Sequence, residues 1–266
     1  MKAHRFSLLL LVICLTSLAA GPGPSNANPD PQGSEIVTDR PDITEASTVV
    51  PKESLQVESG LTWTLDHGTR TIDASETLIR YGAGSRTEVR FTAPSYFSGT
   101  GHNAESGLGD LSIGFKQQLG PLPAGFELSL IASLSLPSGR MGISSRGFDP
   151  SVKLPWSKQL TNKWSIGGMQ SLFWNSQQGG RNLTWQSTFY VERQFRASWY
   201  MFLEYDVELP QRSQSRQLIH NGAAYRLTPR QQVDVHFGLG LTSVTPGHFF
   251  AFGYSLRIDG IGKRHS

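Results

Sequence analysis

From Phe126 to Pro137 the chain reads F-E-L-S-L-I-A-S-L-S-L-P, with Phe126, Leu128, Leu130, Leu134 and Leu136 on one parity. Glu127, Ser129, Ser133 and Ser135 fall on the other, and Ile131 is the one large apolar residue among them. Successive side chains of a strand point to opposite faces, so this stretch predicts a two-faced β-strand and excludes an amphipathic helix. Runs of the same kind recur down most of the chain, and no segment sustains a helical period. The fold class that follows is all-β.

Leu55, Val57, Leu61, Trp63 and Leu65 alternate with Gln56, Glu58, Thr62 and Thr64. Glu76 to Tyr81 and Thr87 to Ala93 flank Gly82-Ala83-Gly84-Ser85, which reads as a hairpin. It sets Ile79, Tyr81, Val89 and Phe91 against Arg80, Glu88 and Arg90. Leu111, Ile113 and Phe115 oppose Asp110, Ser112 and Lys116. Val152, Leu154 and Trp156 form a further run, then Trp164 with Ile166, and Trp185, Phe189 and Val191 oppose Gln186, Thr188 and Glu192. Trp199, Met201, Leu203, Tyr205 and Val207 alternate with Glu204, Asp206 and Glu208, and runs at 218–227, 233–241 and 249–258 close the series. Between Gly167 and Trp174 the parity slips. About twelve strands result, and an even number of strands of roughly ten residues is what a closed transmembrane barrel requires.

The N-terminus carries Lys2 and Arg5, an apolar stretch from Ser7 to Leu18, and small residues up to Ala27. That is the layout of a secretory signal peptide, too short for a helical span of roughly 20 residues. The reading divides the chain into a signal peptide at 1–27, an N-terminal periplasmic or plug segment at 28–54, a barrel at 55–258 and a tail at 259–266. The single cysteine, Cys14, leaves with the signal, so the mature chain has no thiol or disulfide. The formal charge falls from +3 to +1 with the same cut, which removes the argument for a nucleic-acid partner.

Alternation alone fits either a soluble sandwich, apolar face against a second sheet, or a barrel whose apolar face meets lipid. Three features favour the barrel. The runs are long for a sandwich, whose strands take about five or six residues. Aromatic residues gather near strand ends, at Trp63, Tyr96, Phe97, Trp156, Trp164, Trp174, Trp199 and Phe250, as interfacial girdles do. Consecutive hairpins also form a sheet that closes on itself and leaves no open edge in hydrocarbon.

Val37-Thr38-Asp39-Arg40-Pro41-Asp42-Ile43-Thr44-Glu45, then Val50-Pro51-Lys52 and Leu55-Gln56-Val57-Glu58-Ser59-Gly60, resembles the opening of a known family. Thr77-Leu78-Ile79-Arg80-Tyr81-Gly82, Gly107-Leu108-Gly109-Asp110-Leu111, Leu136-Pro137-Ser138-Gly139 and Leu227-Thr228-Pro229 extend the likeness over nearly the whole mature chain. The family is that of the meta-pathway of phenol degradation, Gram-negative outer-membrane β-barrels labelled as transporters. The resemblance implies a transmembrane antiparallel up-and-down β-barrel that passes small molecules, with aromatic compounds suggested by the family name. Barrels of this kind usually end on an aromatic residue, whereas here Ile258 is followed by Asp259 to Ser266.

With the apolar parity in lipid, the lumen-lining candidates are Glu58, Arg80, Glu88, Arg90, Lys116, Glu127, Glu192, Glu204, Asp206, Glu208, Asp234, His236 and Arg257, together with Glu76 and Asp110. Acids predominate. A carboxylate ring in a narrow channel favours cations or neutral polar solutes; alternatively, pairs such as Arg80 with Glu88 and Arg90 with Glu76 cross-link a filled interior. Asp39, Arg40, Asp42 and Glu45 lie before the first strand, either as a short plug paired with the wall or as a periplasmic tail.

Catalysis has little footing. The histidines are scattered, there is no Gly-x-Ser-x-Gly elbow, and His236 beside Asp234 reads as structural. No metal spacing or phosphate loop occurs, so neither metal nor cofactor is expected. The expected partners are the outer-membrane bilayer, the barrel-assembly machinery and a small solute. A channel or transporter for small molecules is the leading reading, beside a structural or adhesive envelope barrel with a closed lumen and a soluble secreted sandwich.

Overall fold

A computed structural model describes residues 35–261, except 67, 102, 103, 178 and 179 and the Gln177 side chain. The expected signal peptide and the end of the expected tail lie outside the described residues.

Strands β1 (Leu55–Asp66), β2 (Thr69–Gly82), β3 (Thr87–Thr92), β4 (Tyr96–Thr100), β5 (Ser106–Leu108) and β6 (Leu111–Gln118) form the first half of a single antiparallel sheet. Strands β7 (Phe126–Leu136), β8 (Asp149–Gln159), β9 (Trp164–Gln177), β10 (Gly180–Arg196), β11 (Trp199–Pro210), β12 (Arg216–Thr228), β13 (Gln231–Gly240) and β14 (His248–Ile258) form the second. β3 and β4 pair with successive halves of β2, β6 pairs with β3 and β5 with β4, so each couple is one bent wall strand and the wall has twelve. Closure comes from β14 lying along β1, from Leu55 opposite Ile258 to Leu65 opposite His248.

The bends have local causes. Pro94 has no N–H to give to the ladder, and the groups around it are satisfied by Ala93 N on Thr77 O at 2.9 Å and Gly109 N on Ser95 O at 2.8 Å. Opposite the bend, the β1–β2 register shifts between Glu58 and Gly60. The extra residue lies on β2 and inverts its parity, so that Arg80 stands opposite inward Gln56 on one side of the shift and Asp73 opposite Thr62 on the other.

What decides between barrel and sandwich is which side is dry. Leu203 is 57% exposed and Phe252 53%, whereas Glu58, Arg80, Glu88 and Lys116 are all fully buried. A soluble sheet buries its apolar parity; this sheet does the reverse, which is what a wall facing hydrocarbon requires. Trp63, Tyr96, Trp164, Trp174, Trp199 and Phe250 are exposed on the outer surface near strand ends. Phe97 departs from the expected girdle. It directly follows Tyr96 in β4 and so points to the opposite face, where its ring lies beside Gly109.

The parity slip in β9 also has a cause. Gly167 and Gly168 are both buried, Met169 is inward and fully buried, and Gln170 points outward. There Gln170 Oε1 accepts the Trp185 indole N–H at 2.9 Å and its amide donates to Ser187 Oγ at 2.6 Å, which satisfies polar atoms on the outer face.

Candidate functional site

Residues 35–54 run inside the barrel and are bonded to side chains from most of its circumference. The amides of Asp39 and Arg40 both donate to Glu58 Oε2, at 2.8 and 3.1 Å. The Asp39 carboxylate meets Arg90 at 2.7 Å, Lys116 at 3.0 Å and Arg80 at 3.4 Å. Arg80 in turn pairs with Glu58 at 2.8 Å and Glu88 at 2.9 Å. Three bases from β2, β3 and β6 thus converge on one carboxylate of the N-terminal segment.

Arg40 serves the far side. It pairs with Glu76 at 2.7 Å and Asp234 at 3.5 Å, and its Nη2 lies 3.1 Å from His236 Nε2. Its guanidinium lies over Gly60 and Gly253, which face each other across the β1–β14 seam, and a Cβ at either would collide with it. Further along, Glu204 accepts the amides of Ile43 and Thr44, both at 2.8 Å, and the Thr44 hydroxyl at 2.6 Å. Glu204 also meets His220 Nδ1 at 3.0 Å, and His220 Nε2 lies 2.7 Å from His236 Nδ1. The order Glu204, His220, His236, Arg40 is therefore a continuous buried polar chain.

Glu45 bridges Arg90, at 2.6 Å, and Lys153, at 2.5 Å. The Ser47 hydroxyl meets Ser157 at 2.7 Å, and its carbonyl accepts Ser129 Oγ at 2.6 Å. On one side of this stretch is a cavity of about 300 Å³ walled by Ser112, Ser133, Ser135, Ser151 and Phe173. On the other, toward the rim that carries Leu55 and Ile258, is one of about 360 Å³ walled by Tyr190, Glu192, Tyr200 and Gln232.

Of the other inward residues named from the sequence, most make no ion pair with this cluster. Glu127 accepts Gln118 Nε2 at 3.1 Å and Glu192 accepts Ser165 Oγ at 3.2 Å. Asp206 is buried on β11, and Glu208 pairs with Arg216 at 3.4 Å toward the rim away from Leu55. Arg257 pairs with Asp259 at 2.8 Å and donates to the Glu35 carbonyl at 3.2 Å, at the rim that carries Leu55 and Ile258. One expected pair is corrected: Arg90 bonds Asp39, Glu45 and Glu88, while Glu76 takes Arg40. The segment comes between the two wall residues and supplies each with a nearer partner. Among the described residues no group of three His, Cys, Asp or Glu is placed to hold a metal ion.

The family described as "Putative MetA-pathway of phenol degradation" matches residues 38–258. The chain belongs to this family. Its match begins in the inward-running segment and ends at the last residue of β14, so the segment is part of the family's pattern along with the wall. By fold, the chain is similar to the COG4313 outer membrane channel from Pseudomonas putida F1, with a TM-score of 0.64 at 13% identity over 82% of this chain and 99% of that one. It is also similar to the NanC porin, TM-score 0.56 at 11% identity, covering 77% of this chain and all of the other. No curated relative matches by sequence.

Lys153, the Gly60–Gly253 pair and Gln56, whose amide donates to the Val37 carbonyl and to Glu58 Oε1 at 2.8 Å each, belong to the site and were not among the residues singled out from the sequence. Lys153 had a signal, since it alternates with Val152 and Leu154. The glycines had none, because their role depends on which strand closes on which.

Burial pushes the Asp42 carboxyl well above its ordinary value of 3.8, and the charges of Glu204 and Glu192 push it the same way. The seated segment therefore favours neutral Asp42. As pH rises from the ordinary value through the raised one, seating weakens, because the released segment gives up the proton more readily. Asp42→Asn is expected to abolish this alkaline loss, read as proteinase K protection of residues 35–54 between about pH 5 and 9. An unchanged alkaline limb in the variant would refute the assignment.

Proposed function

We propose that the chain is a passive outer-membrane channel for small solutes, and that residues 35–54 are a plug seated in its lumen. The observation that carries this reading is the bonding of Asp39, Arg40, Thr44 and Glu45 to side chains around the wall, with a cavity on either side of them. An exposed apolar belt around a polar interior supports the membrane setting, as do the family, the names of the channel and the porin of like fold, and the expected signal peptide. Glu58, Glu88 and Glu204 each accept from the segment or from Arg80, so they do not form the free carboxylate ring of a cation-selective pore. Charge selection by the wall as a whole is accordingly weak.

Deleting residues 35–46 is expected to raise single-channel conductance several-fold in planar bilayers. Heat-modifiable gel migration checks that the deleted barrel has folded. Unchanged conductance in a folded variant would remove the plug, and no conductance in either form would favour a structural barrel whose interior stays filled.

A further inference from the structure

Among the described residues Glu45 is the only acid that lines both cavities, while its neighbours Thr44, Ala46 and Ser47 line the second. Its two carboxylate oxygens are held by different cations: Oε2 by Arg90 from β3 and Oε1 by Lys153 from β8. Arg90 has two further acid partners, Asp39 and Glu88, but Lys153 has no other among the described residues. The Lys153 ammonium also lies 5.6 Å from the centre of the Phe173 ring, and this ring, with the serine hydroxyls, walls the cavity directly beside it.

We infer that Arg90 and Lys153 form a carboxylate subsite in which Glu45 is a tethered occupant, and that a small monocarboxylate solute binds by taking its place. The exchange keeps both charge balance and the charge-assisted hydrogen bonds, because one carboxylate leaves as another arrives. A neutral solute has no group to replace Glu45, and a cation meets two bases. A tethered ligand competes at an effective concentration in the millimolar range, so a free carboxylate binds weakly and leaves easily, as conduction requires. Serine hydroxyls and a single aromatic face suit either a hydroxylated or an aromatic body on that carboxylate. Passage through the subsite rests on the channel reading; binding to it does not.

The test is calorimetric titration of the whole barrel in detergent micelles with gluconate and benzoate, beside sorbitol and benzyl alcohol as uncharged counterparts. Glu45→Gln is expected to tighten carboxylate binding about tenfold by removing the competitor. Lys153→Met added to it should cancel that gain, and Lys153→Gln serves if the methionine variant fails to fold. Whichever of gluconate and benzoate binds more tightly identifies the body. Equal tightening for the uncharged probes, or no response of either carboxylate to Glu45 and Lys153, would overturn the subsite. Liposome swelling is read separately: a barrel that binds carboxylates but passes no solute defeats the channel reading and leaves the subsite standing.

Discussion

Asp39→Ala is expected to unseat the N-terminal segment and open the barrel. The substitution leaves Arg80, Arg90 and Lys116 buried with one fewer anion among them, and it removes the acceptor for the Ala46 amide at 2.8 Å. Removing one partner of a buried ion pair costs about 3–5 kcal/mol, enough to shift a seating equilibrium by about two to nearly four orders of magnitude. Proteinase K should then cut residues 35–54 in the folded barrel, and conductance should rise as it does on deletion. The acid behaviour of the parent follows from the same contacts. Burial raises the Asp39 carboxyl, but Arg80, Lys116 and Arg90 outweigh it and hold the group well below its ordinary 3.8. A depressed value means the stabilisation is complete above the ordinary carboxylate range and is lost only as pH falls through the depressed one. The parent segment should thus stay protected at about pH 4, where an unpaired aspartate is already half protonated. Full protection of the alanine variant would show that Asp39 is not what seats the segment.

The second large effect lies on the outer face. Leu130 sits mid-strand on the outward parity of β7, so Leu130→Arg places a charge in the middle of the hydrocarbon. The expected cost is about 2–4 kcal/mol in folding equilibria measured by urea titration in lipid vesicles. Leu136→Arg, at the end of the same strand, should cost at most about 1 kcal/mol. Equal costs at the two positions would mean that this face does not cross a bilayer.

The wall was legible in the sequence because a two-residue period survives wherever consecutive strands continue the same register. It blurred at Gly167 to Gln170, where glycines carry no side-chain information and an inward methionine inverts the expected chemistry. The bends at Pro94 and between Gly109 and Asp110 were not legible as breaks in a single strand. The family was readable from short motifs at both ends of the matched span. The site was harder, since alternation assigns a side but no partner. It offered Arg90 and Glu76 as a pair, and only the path of residues 35–54 shows that Asp39 and Arg40 come between them. His220 and His236 become neighbours through the β12–β13 register, in which His220 faces Gly238 and His236 faces Gly222. Nothing in their separation along the chain announces that.

Arg40 rests on Gly60 and Gly253, one from the first strand and one from the last, and the Glu35 carbonyl accepts from Arg257 on that last strand. Its resting place does not exist until the ends of the sheet have met. Residues that leave the ribosome before any strand are therefore among the last to settle, and a barrel whose seam has not zipped has no floor on which to lay them. In assembly, a protected N-terminus is a report that the cylinder has shut.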